Sequence, residues 1–330
     1  MATISDVAKL AGVSKTTVSR VLNSSAIVNS ETRTKIMTVI EQLSYVPNLN
    51  ARGMRNKITG IFGVVFPEYM NPFGYELIQH IELAAARVNC NSVITSVGTG
   101  ESRIGRIREL VNRGVDGLVI NLYGIEPELG DYLYELSLKK PVVFLDNYTF
   151  KGPVNKVMVR ASEGMNILVK HLLESGRRKI GIIACSDSYV CNDRLFGYQT
   201  ALNEAGIMPR DDYIFNGDYS LQSGFDAGKY FAGMGVEKPD AIVSYTDYMA
   251  IGAMNYLQRN NILVPGDIAV AGYDGISMGK LALPALTTYA QDFERIGKEI
   301  VKILLRQRHK PSSSPREVLL NGKLIVRDSA

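Results

Sequence analysis

Histidine and cysteine are scarce in this 330-residue chain, with three of each, and that scarcity removes most metal and thiol chemistry at the outset. Cys90, Cys185 and Cys191 form no C-x-x-C pair, so neither a zinc site nor a redox dithiol is expected, only buried or half-buried thiols. His80, His171 and His309 lie far apart in helical or tail sequence, with no Gly-x-Ser-x-Gly elbow or metal-ligand cluster around them. Nucleotide loops are missing too. Gly98-x-Gly100 lacks a third glycine, and Gly275 to Leu281 is one residue short of a phosphate loop, with no hydroxyl residue after Lys280. No catalytic residue, metal or cofactor is therefore expected, and an enzyme is disfavoured. Long apolar runs are absent: none reaches the roughly 18 residues of a membrane span, and Asp6 and Lys9 spoil any signal-peptide pattern. A cytoplasmic protein without a membrane partner is the expectation.

What the chain does have is apolar content, 46% of its residues, enough to build the two or three cores that its length allows. It also has an uneven distribution of charge. The net value is only +4, but residues 1–57 carry eight bases against three acids, a local +5, which leaves the remainder at −1. A basic head on a neutral body suits a polyanionic partner, although a solvated basic surface would look the same by charge alone.

Pattern separates those possibilities. Ile4, Val7, Ala8, Leu10 and Ala11 recur at helical spacing and stop at Gly12, which readily takes a left-handed conformation. Ser14 can cap a second helix, Lys15 to Leu22, with Val18, Val21 and Leu22 on one side and Lys15, Thr16, Thr17, Ser19 and Arg20 on the other. Asn29 can cap a third, with Ile36, Val39, Ile40 and Leu43 buried. Two short helices joined by a glycine-containing turn and braced by a third are the helix-turn-helix plan, whose second helix enters the major groove. Its polar face holds cations and hydroxyls but no carboxylate, as a surface against DNA requires. Lys15, Thr16 and Arg20 are the expected base contacts; Ser14, Thr17, Ser19 and Asn23, with Asn29, are the expected phosphate contacts.

The stretch from Thr3 through Asn23 (TISDVAKLAGVSKTTVSRVLN) resembles the head motif of the lactose-repressor and galactose-repressor family almost without a break. Tyr45-Val46-Pro47-Asn48 and Ala51-Arg52-Gly53-Met54 look like that family's hinge. The resemblance implies a hinge that becomes helical only on operator DNA and inserts an apolar side chain into the minor groove. Here Ala51 and Met54 would take that place, Met54 standing where leucine is usual. Gly53 costs a helix interior about 1 kcal/mol relative to alanine, so a free hinge helix should be unstable.

Beyond Gly60, apolar runs of strand length alternate with helical segments: Ile61–Phe66, Ser92–Ser96, Gly117–Leu122, Val142–Leu145, Ile180–Ala184, Ala241–Ser244 and Ile268–Ala271. That alternation implies parallel sheets covered by helices on both faces, and two such sets imply an α/β body of two doubly wound lobes. Ligands of open α/β sheets sit beyond the carboxyl ends of the strands. The residues there are Asn71-Pro72-Phe73, Tyr75, Tyr123, Asp146-Asn147, Tyr189, Arg194, Tyr219, Thr246-Asp247, Asp274 and Gln291-Asp292. Acids, amides and an arginine bond paired hydroxyls, and aromatic faces cover the apolar side of a sugar ring.

The resemblance adds that the body is periplasmic-binding-protein-like, with three crossings between lobes. It implies a helix-turn-helix domain at 1–47, a hinge at 48–59 and an effector and dimerisation domain at 60–330. The N-lobe would hold about 60–158 and 290–321, and the C-lobe about 159–289 and 322–330. It also marks Asp146, Arg194, Tyr219, Thr246 and Asp274 as effector contacts, through segments such as Arg194-Leu195-Phe196-Gly197-Tyr198 and Ala271-Gly272-Tyr273-Asp274, and Phe73 and Gln291, placed past strand ends, complete the expected set. Two departures stand out: Arg160-Ala161 where Asp-Asn is frequent at a crossing, and Asn147 where arginine is frequent after Asp146. Asp247 has a plainer role open to it, capping the helix that follows.

Together these features predict a repressor that binds a pseudo-palindromic double-stranded operator as a homodimer and responds to a sugar or sugar phosphate. The chain has no leucine-rich tail after Leu324-Ile325-Val326 of the kind that makes tetramers in some relatives. A nucleobase effector, or control by a phosphocarrier protein docked on the N-lobe, stays open as an alternative.

Overall fold

Among the described residues, three short helices belong to the first of two units, residues 1–59. In the computed structural model α1 (Ile4–Ala11) starts at Thr3, whose hydroxyl accepts the Asp6 amide while the Asp6 carboxylate accepts the Thr3 amide at 2.8 Å. This reciprocal cap satisfies two of the amide donors that every helix start leaves open. Gly12, at φ +67°, ends α1. Ser14 then caps α2 (Lys15–Leu22), its Oγ accepting from the Thr17 amide at 3.1 Å, and Asn29 caps α3 (Ser30–Gln42) by accepting from the Thr32 amide at 2.8 Å. Val7, Ala8, Ala11, Val18, Val21, Ile36 and Val39 close into one small core. Leu10 departs from expectation: it is 56% exposed, at the edge of the α1 stripe.

The structure describes residues 2–22, 28–45, 58–67, 71–98, 102–122, 124–145, 150–185 and 189–330, without the side chains of 189–191. Asn23, Ala51, Gly53, Met54, Tyr123, Asp146, Asn147 and the side chain of Tyr189, all singled out above, lie outside these residues, as does most of the expected hinge.

The second unit, residues 60–330, contains two six-stranded sheets. One holds β1 (Ile61–Pro67), β2 (Asn91–Val97), β3 (Gly117–Ile120), β4 (Val142–Leu145), β5 (Asn155–Val159) and β11 (Glu317–Leu320), all parallel, in the order β11-β5-β4-β3-β1-β2. The other holds β6 (Ile180–Ala184), β7 (Ile214–Asn216), β8 (Ala241–Ser244), β9 (Ala269–Asp274), β10 (Thr287–Ala290) and β12 (Lys323–Ile325), in the order β12-β10-β9-β8-β6-β7, with only β12 antiparallel. Central strands such as β4, β6 and β8 are buried at every residue, because helices cover both faces.

In the N-lobe, the faces of β1 separate residue by residue. Phe62, Val64 and Phe66 join the core under α4 (Pro72–Ala86) and α12 (Phe293–His309), whereas Val65 joins the core under α5 (Arg103–Asn112) and α6 (Pro127–Ser137). In the C-lobe, α7 (Ala161–Glu174), α8 (Tyr189–Glu204), α9 (Leu221–Ala232) and α10 (Asp247–Arg259) enclose the second sheet, and the short α11 (Ser277–Leu281) follows β9. The chain passes between lobes three times: after β5, after β10 and after β11. Among the described residues no helix is long and apolar enough to cross a membrane.

Candidate functional site

On the head, the caps and the turn present one side of α2 outward. Lys15, Thr16 and Arg20 are exposed, and Thr17 and Ser19 are half-buried, while Val18 and Val21 face the core. Ser14 and Asn29 already use their side chains as helix caps, and the Ser14 and Thr17 hydroxyls lie 2.9 Å apart. No acidic residue occupies the first turn of α2, so the face carries cations and hydroxyls only.

In the body, a cavity of about 100 Å³, partly open to solvent, lies between the lobes. Phe73, Arg194, Tyr219, Thr246, Asp274 and Gln291, named from the sequence, all line it. Tyr75 does not: it is 62% exposed on the outside of α4. Asp292 caps α12, accepting from the Arg295 amide at 3.0 Å. Sequence reasoning missed Asn121, just past β3, and the apolar contribution of Met158, Val159 and Ala161 at the first crossing. Ala161 puts a methyl group into the cleft, while Arg160 turns to Glu163, 3.7 Å away on an exposed surface. Among the described residues, the stretch Met158, Val159 and Ala161 therefore lines the cleft with apolar side chains.

Four side chains at the cleft interlock. Arg194, on α8, stacks 3.9 Å from the centre of the Tyr273 ring and donates from Nη1 to the Tyr245 carbonyl at 2.5 Å. Its Nη2 lies 3.4 Å from Asp274 Oδ1, which also accepts from Gln291 Nε2 at 2.8 Å. Both bonds land on Oδ1, so Oδ2 is the oxygen available to a ligand. Stacking and the carbonyl bond hold the guanidinium in place before any ligand arrives. Burial pushes the Asp274 carboxyl up to about 7, against the pull of Arg194 and of the Gln291 hydrogen bond. Thr246 caps α10, its Oγ1 accepting from the Met249 amide at 3.2 Å, which leaves its own hydroxyl proton to donate.

Two cleft residues hold backbone conformations that side chains other than glycine rarely adopt, Tyr219 at φ +68° and Asp274 at φ +118°. Such conformations persist where the surroundings overdetermine them. Phe73 enters from the N-lobe, its ring 5.5 Å from that of Phe293. The cleft thus combines an aromatic residue from each lobe with a carboxylate, a guanidinium, a hydroxyl and several amides.

Comparison with known proteins places this combination. The description "Bacterial regulatory proteins, lacI family" matches residues 3–48, and "Periplasmic binding protein-like domain" matches residues 169–330. The transcriptional repressor PurR of Photobacterium profundum is 32% identical over 100% of this chain and 98% of its own length. The chain belongs to the lacI family. The ribose operon repressor of Haemophilus influenzae is 30% identical, with the same shares covered. Among solved structures, the lac repressor dimer bound to operator and the anti-inducer ONPF is 28% identical, with a TM-score of 0.83 over 99% of this chain and 98% of that one. This lacI-family protein is accordingly a DNA-binding transcriptional repressor with a helix-turn-helix head and a two-lobed sensor body, and its relatives are repressors, not enzymes.

Proposed function

We propose that this repressor controls sugar-utilisation genes and that a sugar or sugar phosphate in the cleft is its effector. The observation that carries the proposal is the Asp274 carboxylate, bridged on Oδ1 by Arg194 and Gln291 and left open on Oδ2, opposite the aromatic Phe73. A carboxylate oxygen beside a guanidinium takes two adjacent hydroxyls, one as donor and one as acceptor, and the flat Phe73 and Tyr219 side chains suit the apolar face of a sugar ring. Asp146 is assigned to the same ligand on the resemblance of its segment.

On DNA, the exposed Lys15, Thr16 and Arg20 would read base edges, with Ser14, Thr17, Ser19, Asn23 and Asn29 toward phosphates. A homodimer would set two heads on a pseudo-palindromic site, with Ala51 and Met54 at its central minor groove. An effector shifts operator affinity only by binding the two lobe arrangements with different strength. A cytoplasmic protein with no cofactor meets these requirements.

A nucleobase is the second reading, favoured by one specific arrangement: Phe73 and Tyr219 come from opposite lobes and can sandwich a flat ring. Thermal-shift screening with pentoses, hexoses, disaccharides, their phosphates and purine bases, each with and without operator DNA, separates the two. Stabilisation by a sugar, lost in Asp274→Asn, is the expected result. Stabilisation by a purine base alone would replace the sugar proposal, and no stabilisation at all would favour control by a phosphocarrier protein on the N-lobe.

A further inference from the structure

Asp247 is the most completely buried acid among the described residues, at 0% exposure, and it does not line the cleft. It also does not cap its helix, since Thr246 does. Its Oδ2 instead accepts the backbone N–H groups of Gly275 and Ile276, each at 2.8 Å, and its Oδ1 accepts the Thr288 hydroxyl at 2.6 Å. One side chain at the start of α10 therefore ties the segment after β9 to strand β10. Those two amides directly follow Asp274, the residue held at φ +118°.

The surroundings are shaped for this contact. A Cβ on Gly272 would lie 2.2 Å from Asp247 Oδ1, so the carboxylate occupies space that only glycine leaves at that position. Gly275 has φ +79°, and a Cβ there would come within 2.3 Å of Ala290. The next amide, Ser277, is held by the Glu76 carboxylate from the N-lobe, so the Asp247 bonds are the fixed point that the C-lobe itself supplies. Without them Asp274 would relax toward negative φ, which turns its Cα–Cβ bond and carries the carboxylate away from Arg194 and Gln291.

We infer that Asp247 is a positioning residue for Asp274: by pinning the Gly275 and Ile276 amides it holds the Asp274 carboxylate against Arg194 and Gln291 at the cleft. The inference rests on the effector role proposed for Asp274, but its test does not need an effector. The charged groups acting on Asp274 are Arg194 on α8 and Glu76 on α4, with the Tyr273 ring under Arg194, while burial and the Asp274 charge push the Asp247 carboxyl on α10 well above its ordinary range.

Three full-length variants decide it, Asp247→Asn, Asp247→Ala and Asp247→Ser. Asparagine can turn its carbonyl oxygen to both amides and donate its NH₂ to Thr288 Oγ1, so it should rescue; alanine and serine cannot span both contacts. The readouts are titration of the Asp274 carboxyl carbon by ¹³C NMR, assigned by its loss in Asp274→Asn, and amide exchange at Gly275 and Ile276. Asp247→Asn should keep the Asp274 midpoint and the amide protection of the original chain. Asp247→Ala and Asp247→Ser should lower the midpoint by about one unit or more, a tenfold change in proton affinity, as the released carboxylate gains water. Both amides should exchange at least about tenfold faster, while Ile182 in β6 stays protected. A folded Asp247→Ala or Asp247→Ser with unchanged midpoint and protection overturns the inference, as does an asparagine variant that loses both as fully as alanine. A role limited to lobe stability would lower the melting temperature of all three variants and leave the Asp274 midpoint where it is.

Discussion

At Gly197 α8 packs directly against the backbone of α7, and replacing it with alanine tests how the cleft arginine is placed. A Cβ at this position would lie 2.1 Å from the Ser162 carbonyl oxygen and 2.9 Å from the Ser162 carbonyl carbon and Cα, all of them backbone atoms that cannot rotate away. Ordinary contact begins near 3.4 Å, so α8 must move by roughly 1 Å or more. Overpacking of this kind costs about 1–3 kcal/mol or somewhat more, and the better helix propensity of alanine returns only ~1 kcal/mol of it. A net loss of about 1–2 kcal/mol corresponds to a fall of roughly 2–4 °C in the melting temperature of a body of this length. The functional effect should be larger than the stability effect, because Arg194 lies three residues away on the same helix and its 3.4 Å contact to Asp274 has little slack. Calorimetry of the full chain gives the first number, and a crystal structure of the variant gives the Arg194–Asp274 separation. An alanine variant that melts at or above the original temperature, as an exposed helical glycine would on replacement, refutes the close-packing argument.

Asp274 should make stability depend on pH. Its folded-state value of about 7 lies above the ordinary 3.8, so between these values the folded chain keeps a proton that the unfolded chain releases. Stability therefore falls as pH rises from about 4 to about 7, by roughly 2–3 kcal/mol between pH 5 and pH 8 at 1.36 kcal/mol per unit. Asp274→Asn should remove that part of the slope in urea titrations at the two pH values, and parallel slopes would exclude it. Val18→Ala should cost the head about 1–3 kcal/mol, a large share of what so small a core supplies, and abolish operator binding while the body melts as before. A head that still binds with unchanged affinity would count against the packing described. Arg20→Ala should weaken operator binding by about 1–3 kcal/mol with little change on unrelated DNA; equal losses on both, in filter-binding or anisotropy titrations, would reassign Arg20 to the phosphates.

Legibility in the sequence followed burial. Val142–Leu145, Ile180–Ala184 and Ala241–Ser244 stand out as uninterrupted apolar runs, and the strands occupy those same residues because both their faces are covered. β5, with Asn155 and Lys156, and β7, three residues at a sheet edge, carry no such run. β10 is harder still. Its Thr287 and Thr288 are fully buried, and their polarity reads as loop until their partners are known: Ser329 and Arg327 for Thr287, Asp247 for Thr288. The same reason hid the work of Asp247, since a contact to amides 28 and 29 residues away leaves no local spacing to detect. Arg194, Asp274 and Gln291 were easier, because strand ends and their flanking helices converge on a cleft wherever two doubly wound sheets face each other.

The three passages between lobes bear on how the chain can be made. α12 and β11 complete the N-lobe, yet they follow the C-lobe strands in sequence, and β12 then returns to the C-lobe. β11 pairs with β5 across roughly 160 residues of intervening chain. On a ribosome, then, the N-lobe must wait as an open five-stranded sheet, with the Phe62 face uncovered by α12, until almost the whole body has emerged. Neither lobe is a contiguous stretch that could be cut out and grafted, so the smallest sensing part that can be exchanged as one piece of chain is the whole body, residues 60–330.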